Sequence, residues 1–152
     1  MDKNAYRVAQ AGLNQQPCVF EKTLLARNAQ CELALPHALA EREAVSCSSP
    51  VACTNCTTFL GLLRERAAFS LKLGTAAHPL PHAVVMKLQS GGMEGLAEAL
   101  QIKDPGKKDI HRLIAAAQQH WGSLLDLPWP EIVKAVAAWR GRRRHTSGLL
   151  RK

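Results

Sequence analysis

Aromatic side chains make up only 5% of these 152 residues, with three Trp, three Phe and a single Tyr, so few rings are on hand either to fill a core or to stack on bases. β-Branched residues are sparse and scattered, which argues against a chain built mainly of strands. No apolar run approaches the roughly 20 residues that span a bilayer, so a membrane partner is not expected. The opening MDKNAYRVAQAGLNQQP has no continuous apolar stretch of the kind that directs secretion. Five cysteines are an odd number in a chain long enough to bury a core without staples, so a secreted disulfide scaffold is not expected either. The expected compartment is a reducing cytoplasm. Clustered cysteines there read as metal ligands or reactive thiols.

Ala and Leu supply most of the 47% hydrophobic content, and both are strong helix formers. The composition predicts an all-α fold, a compact single-domain bundle of five to seven helices of unequal length. Residues 1–16 read as a polar N-terminal arm, 17–140 as the helical domain with the cysteines in its first half, and 141–152 as a basic tail. Phe20, Leu24, Cys31 and Leu35 share one helical stripe, which predicts a first helix from Pro17 that ends before Pro36. HALAEREAV predicts a second, shorter helix. Pro50 to Leu73 predicts a long central helix with Ser49 as N-cap, Pro50 at its first position and Gly74 as its stop. A short helix from Pro81, halted at Gly91 and Gly92, is expected next, followed by MEGLAEAL and an Asp-Pro-Gly loop. Asp109 is expected to cap IHRLIAAAQQHW, Gly122 to close it, and PWPE to open the last helix.

The chemical signal lies in SCSSPVACTNC. Three thiols, Cys47, Cys53 and Cys56, fall within ten residues in a polar setting unlike core sequence. The start of a helix favours negative charge, so Cys53 and Cys56 are expected to ionise readily. Cys18 or Cys31 must supply a fourth thiolate. An unbroken first helix would hold those two about 20 Å apart, so only one can join. Reversal at Pro36 favours Cys18 with Cys47, Cys53 and Cys56. Cys31 is then the alternate ligand, or a small buried hydrophobe. Four thiolates suit an iron–sulfur cluster or tetrahedral zinc, and the single Cys-x2-Cys pair favours the cluster. Without metal, a pair such as Cys47 and Cys53 suits a reversible disulfide.

Weaker signals surround this one. His78 and His82 cannot complete a zinc finger with Cys53 and Cys56, because the intervening helix carries the chain too far. His111 and His120 lie on opposite faces of their helix. Lys87 to Gly95 lacks the strand and the glycine fingerprint of a phosphate cradle, and no nucleophile elbow or acid/base pair is recognisable, so turnover of a small substrate is not expected. The formal charge of +8, concentrated at Arg140, Arg142, Arg143 and Arg144, suits nucleic acid or an acidic protein surface. The leading expectation is an iron–sulfur protein acting in electron transfer or redox sensing with a redox partner protein. The alternative is a basic, nucleic-acid-associated regulator or an interaction adaptor without metal.

Overall fold

The computed structural model describes residues 16–74, 79–104 and 106–141. The chain is mixed α and β, not the all-α bundle expected. Its elements in order are α1 (Glu21–Leu25), β1 (Ala29–Gln30), β2 (Ala34–Leu39), β3 (Arg42–Cys47), α2 (Pro50–Ala67), α3 (His82–Met86), α4 (Gly92–Ala99), β4 (Lys108–Asp109), α5 (Ile110–Trp121) and α6 (Trp129–Ala138). A π-helical turn at Lys87–Gly91 joins α3 to α4, and a 3₁₀ turn at Leu124–Asp126 precedes α6.

The correction falls on the first half. The predicted first helix survives only as the five residues of α1, and the predicted second helix is an antiparallel hairpin. β2 and β3 pair from Ala34 opposite Cys47 to Leu39 opposite Arg42. The chain reverses at Ala40 and Glu41, with Ala40 at φ +57°, a left-handed conformation that Asn or Gly usually signals in a hairpin. Pro36 fits this strand because β2 is an edge, where a missing N–H breaks no ladder. On the other side of β3, residues 16–18 run antiparallel to it. The Cys18 N–H donates to Val45 O at 3.0 Å and the Cys47 N–H to Gln16 O at 2.9 Å. Gln16, assigned to the arm by its polarity, is thus part of the fold; residues 1–15 lie outside the described structure.

The second half matches its helical pattern more closely. Ser49 Oγ accepts from the Ala52 N–H, with Pro50 at the first helical position of α2. That helix stops at Ala67, short of the expected Leu73, and the chain closes through a left-handed Lys72 before Gly74 is reached. Asp109 caps α5 through the Arg112 N–H, and Gly122 ends it at φ +84°. Gly91 and Gly92 do not halt the preceding helix. They are where α4 meets its neighbours, since a Cβ on Gly91 would lie 2.9 Å from Val136 Cα and one on Gly95 2.9 Å from Ala135 Cβ. The glycines therefore permit close packing of α4 on α6.

One core runs through both halves. Phe20, Phe59, Leu63, Leu96, Ile132 and Val136 are fully buried, and the Phe59 ring bridges Phe20 at 6.4 Å and Trp129 at 5.5 Å. Of the three tryptophans, Trp129 is buried with its Nε1 donating to Leu124 O, whereas Trp121 and Trp139 are half-buried. Among the described residues, no helix is long and apolar enough to cross a membrane.

Candidate metal centre

Four separate stretches of backbone deliver the cysteines. Cys18 sits on the segment beside β3, Cys31 follows β1, Cys47 ends β3, and Cys53 and Cys56 lie in the first two turns of α2. All five line one cavity of about 20 Å³, closed by Val19, Leu33, Ala34, Ala52, Ile110 and His111. All five are free thiols.

The expectation that Cys18 and Cys31 exclude one another is overturned. Its premise was a continuous first helix. Because α1 ends at Leu25 and Arg27 turns the chain at φ +63°, the backbone doubles back and β1 pairs in parallel with β4, Ala29 opposite Lys108 and Gln30 opposite Asp109. This pairing holds Cys31 at the N-terminus of α5. Asp109 fixes the junction with both oxygens, one accepting from the Arg112 N–H and the other from the Glu32 N–H at 2.9 Å. Cys31 is therefore no isolated core hydrophobe.

Backbone donors distinguish the five sulfurs. The Phe20 N–H points at the Cys18 sulfur, and the N–H groups of Leu33 and His111 point at that of Cys31. Such donors stabilise thiolate over thiol. Cys47 and Cys53 are instead posed as donors. The Cys47 Sγ lies 3.3 Å from Ser49 O and the Cys53 Sγ 3.8 Å from Pro17 O.

Ready ionisation of Cys53 and Cys56 is also corrected. Burial pushes the Cys56 thiol up to about 12, with repulsion from the other four thiols adding to it, and burial likewise pushes Cys18 up to about 12. The thiols of Cys31 and Cys53 are raised for the same first reason. Cys53 and Cys56 stand at the fourth and seventh positions of α2, past the unpaired N–H groups that were to favour charge, so desolvation wins. Cys18, Cys47 and Cys56 each interact electrostatically with all four other thiols.

As they stand, the described residues contain no group of three or more His, Cys, Asp or Glu side chains arranged to hold a metal ion. The donor chemistry fits a metal centre nonetheless, since five soft thiols face one another around a shared space. That space has room for about one water molecule. Binding anything larger requires the thiols to turn and the hairpin wall at Leu33 and Ala34 to give way.

His111 is the site residue that helical periodicity missed. Its backbone N–H serves Cys31, its ring lines the cavity, and its Nδ1 is buried without a hydrogen bond, 3.6 Å from Glu32 Oε2. Its place two residues after the Asp109 cap was the available signal. His120 is exposed and stacks edge-on to Trp121, and His82 Nδ1 lies 3.5 Å from Lys22 Nζ. His78 lies outside the described residues. The Lys87–Gly95 stretch is helical, with Ser90 buried against Thr23 Oγ1 at 2.8 Å and Asn28 Nδ2 at 3.2 Å. Arg140 donates to the carbonyls of Ala137 and Trp139 at the end of α6, while Arg142, Arg143 and Arg144 lie outside the described residues.

No protein-family model, curated protein or solved structure matches this chain.

Proposed function

We propose that this protein carries a cysteine-ligated iron–sulfur cluster and acts in electron transfer or redox sensing. The convergence of Cys18, Cys31, Cys47 and Cys56 from four backbone segments onto one cavity carries the reading. Cys18, Cys47 and Cys56 are common to any four-thiolate set, because each interacts with all the other thiols. Cys31 is the fourth in preference to Cys53. Two backbone N–H groups wait at its sulfur, whereas at Cys53 the donor is the Thr57 hydroxyl, which also serves the Cys53 carbonyl. This revises the sequence-based set of Cys18, Cys47, Cys53 and Cys56, in which Cys31 stands as the alternate to Cys18.

A bound cluster supplies one-electron chemistry at a potential set by hydrogen bonds to its sulfurs and by burial. The chain's own part is to hold four thiolates, to donate N–H groups from Phe20, Leu33 and His111, and to exclude water with Val19, Ile110 and Leu33. Such a site fits redox exchange with a partner protein. Zinc is the second reading, favoured by the small size of the cavity, and it would make the centre structural.

Anaerobic purification followed by iron, sulfide and zinc analysis and a visible spectrum separates these readings. Brown protein with iron and labile sulfide is expected, with colour lost in Cys18→Ser, Cys31→Ser, Cys47→Ser and Cys56→Ser and kept in Cys53→Ser. Colourless protein carrying zinc selects the second reading. Protein that takes up neither metal, even on reconstitution after reduction, ends both.

A further inference from the structure

Four ligands leave one thiol over, and its position is informative. Cys53 lies between the exposed residues Val51 and Thr54, while its sulfur faces the cavity wall shared with Cys47. The two thiols line the same cavity, one at the end of β3 and one in the first turns of α2, with only residues 48–52 between them. Resting on the cluster reading above, we propose that Cys53 is a thiol–disulfide modification site: a small disulfide such as oxidised glutathione closes a Cys47–Cys53 bond and removes Cys47 from the ligand set.

The chemistry balances with that oxidant alone. The Cys53 thiolate attacks one sulfur of the small disulfide and expels one thiolate, leaving a mixed disulfide on Cys53. The Cys47 thiolate then attacks the Cys53 sulfur, forms the internal bond and expels the second thiolate. Two protein thiols lose two protons and two electrons, and one disulfide becomes two thiols. The bond disables the site without unfolding the core, since Cys47 and Cys53 lie close together in sequence and Phe20, Phe59 and Trp129 pack beyond them.

The test uses the full chain, reduced and metal-free, with cobalt(II) as an optical probe of thiolate coordination. Oxidised glutathione is expected to make the protein two hydrogen masses lighter, with Cys47 and Cys53 joined in the mapped peptides. The cobalt–thiolate absorption should vanish, and dithiothreitol should restore it. Cys53→Ser, checked for an unchanged helical circular dichroism signal, should bind cobalt before and after oxidant alike. Glutathione retained on Cys53, or a bond mapped to another pair, overturns the proposal. So does loss of cobalt binding in folded Cys53→Ser, which would make Cys53 a ligand. If reduced wild-type protein binds no cobalt, the metal reading fails, and the mapped bond alone decides whether the Cys47–Cys53 exchange exists.

Discussion

The two halves of this molecule are held by different forces. From α3 to α6 the chain is secured by apolar burial, with Leu96, Ile132 and Val136 fully enclosed and glycines letting α4 press against α6. From residue 16 to the start of α2 it is secured mainly by backbone pairing. The hairpin, the strand-like segment at Cys18 and the two-residue β1–β4 bridge contribute few large core side chains besides Phe20 and Val45. The thiol-lined cavity has its outer wall in the second kind of region and Ile110 and His111 of α5 behind it, and shifting that outer wall costs hydrogen bonds at a sheet edge rather than close-packed hydrocarbon. Stability and chemistry are thereby divided between the halves, and Phe59 joins them.

The largest expected effect comes from cutting that join. Phe59→Ala removes the ring that touches both Phe20 and Trp129 and should cost about 3–5 kcal/mol in urea unfolding, with the two halves losing structure together. A second transition, in which the hairpin melts ahead of the helices, would show that the halves are less coupled than their shared core implies.

Metal loading should act on the other half. Ligand binding to the folded state alone stabilises by about 2.7 kcal/mol at a hundredfold excess over the dissociation constant, so the reconstituted protein should unfold at higher urea than the apo form. Hydrogen exchange should slow chiefly at residues 16–18, β3 and the first turns of α2. Equal slowing in α6 would break the division drawn above.

This division also explains what was readable beforehand. α5 announced itself through an acidic cap, a 3.6-residue apolar stripe and a closing glycine, all local signals, and the structure keeps each of them. The hairpin has no Asn-Gly or Asp-Gly at its turn, and Ala, Leu and Glu in its strands have helical propensity. Pairing with residues 16–18 on one side and between β2 and β3 overrides that propensity, and such nonlocal bonds leave no periodicity in a short stretch. The cysteines were legible as a group because they cluster in sequence. That Cys31 could join them was not, because it depends on a left-handed Arg27 and a two-residue parallel bridge.

Alkaline pH offers a further way to sharpen the contrast. Cys18 and Cys56 are raised from 9.0 to about 12 in the folded state, so the native protein holds protons there that the unfolded chain releases. Stability from these groups is complete below pH 9 and is lost as pH rises from 9 toward 12. Apo protein should therefore show a falling urea midpoint across that window, and Cys18→Ala with Cys56→Ala should flatten the slope. A slope unchanged by the two substitutions would place the loss elsewhere.

The smallest effect tests the contact between the halves at the site itself. Asp109 has one oxygen on the Arg112 N–H, capping α5, and the other on the Glu32 N–H, next to Cys31. Asp109→Ala should cost roughly 1 kcal/mol, the usual value of an N-cap. Asp109→Ser can still cap α5 but has a single oxygen, so it should recover most of that stability while leaving Glu32 unheld. If Asp109 matters to the metal centre by positioning Cys31, the serine variant will be nearly as stable as wild type yet bind cobalt(II) more weakly. If serine restores stability and cobalt affinity together, the Glu32 bond has no part in placing Cys31, and the N-terminus of α5 alone suffices.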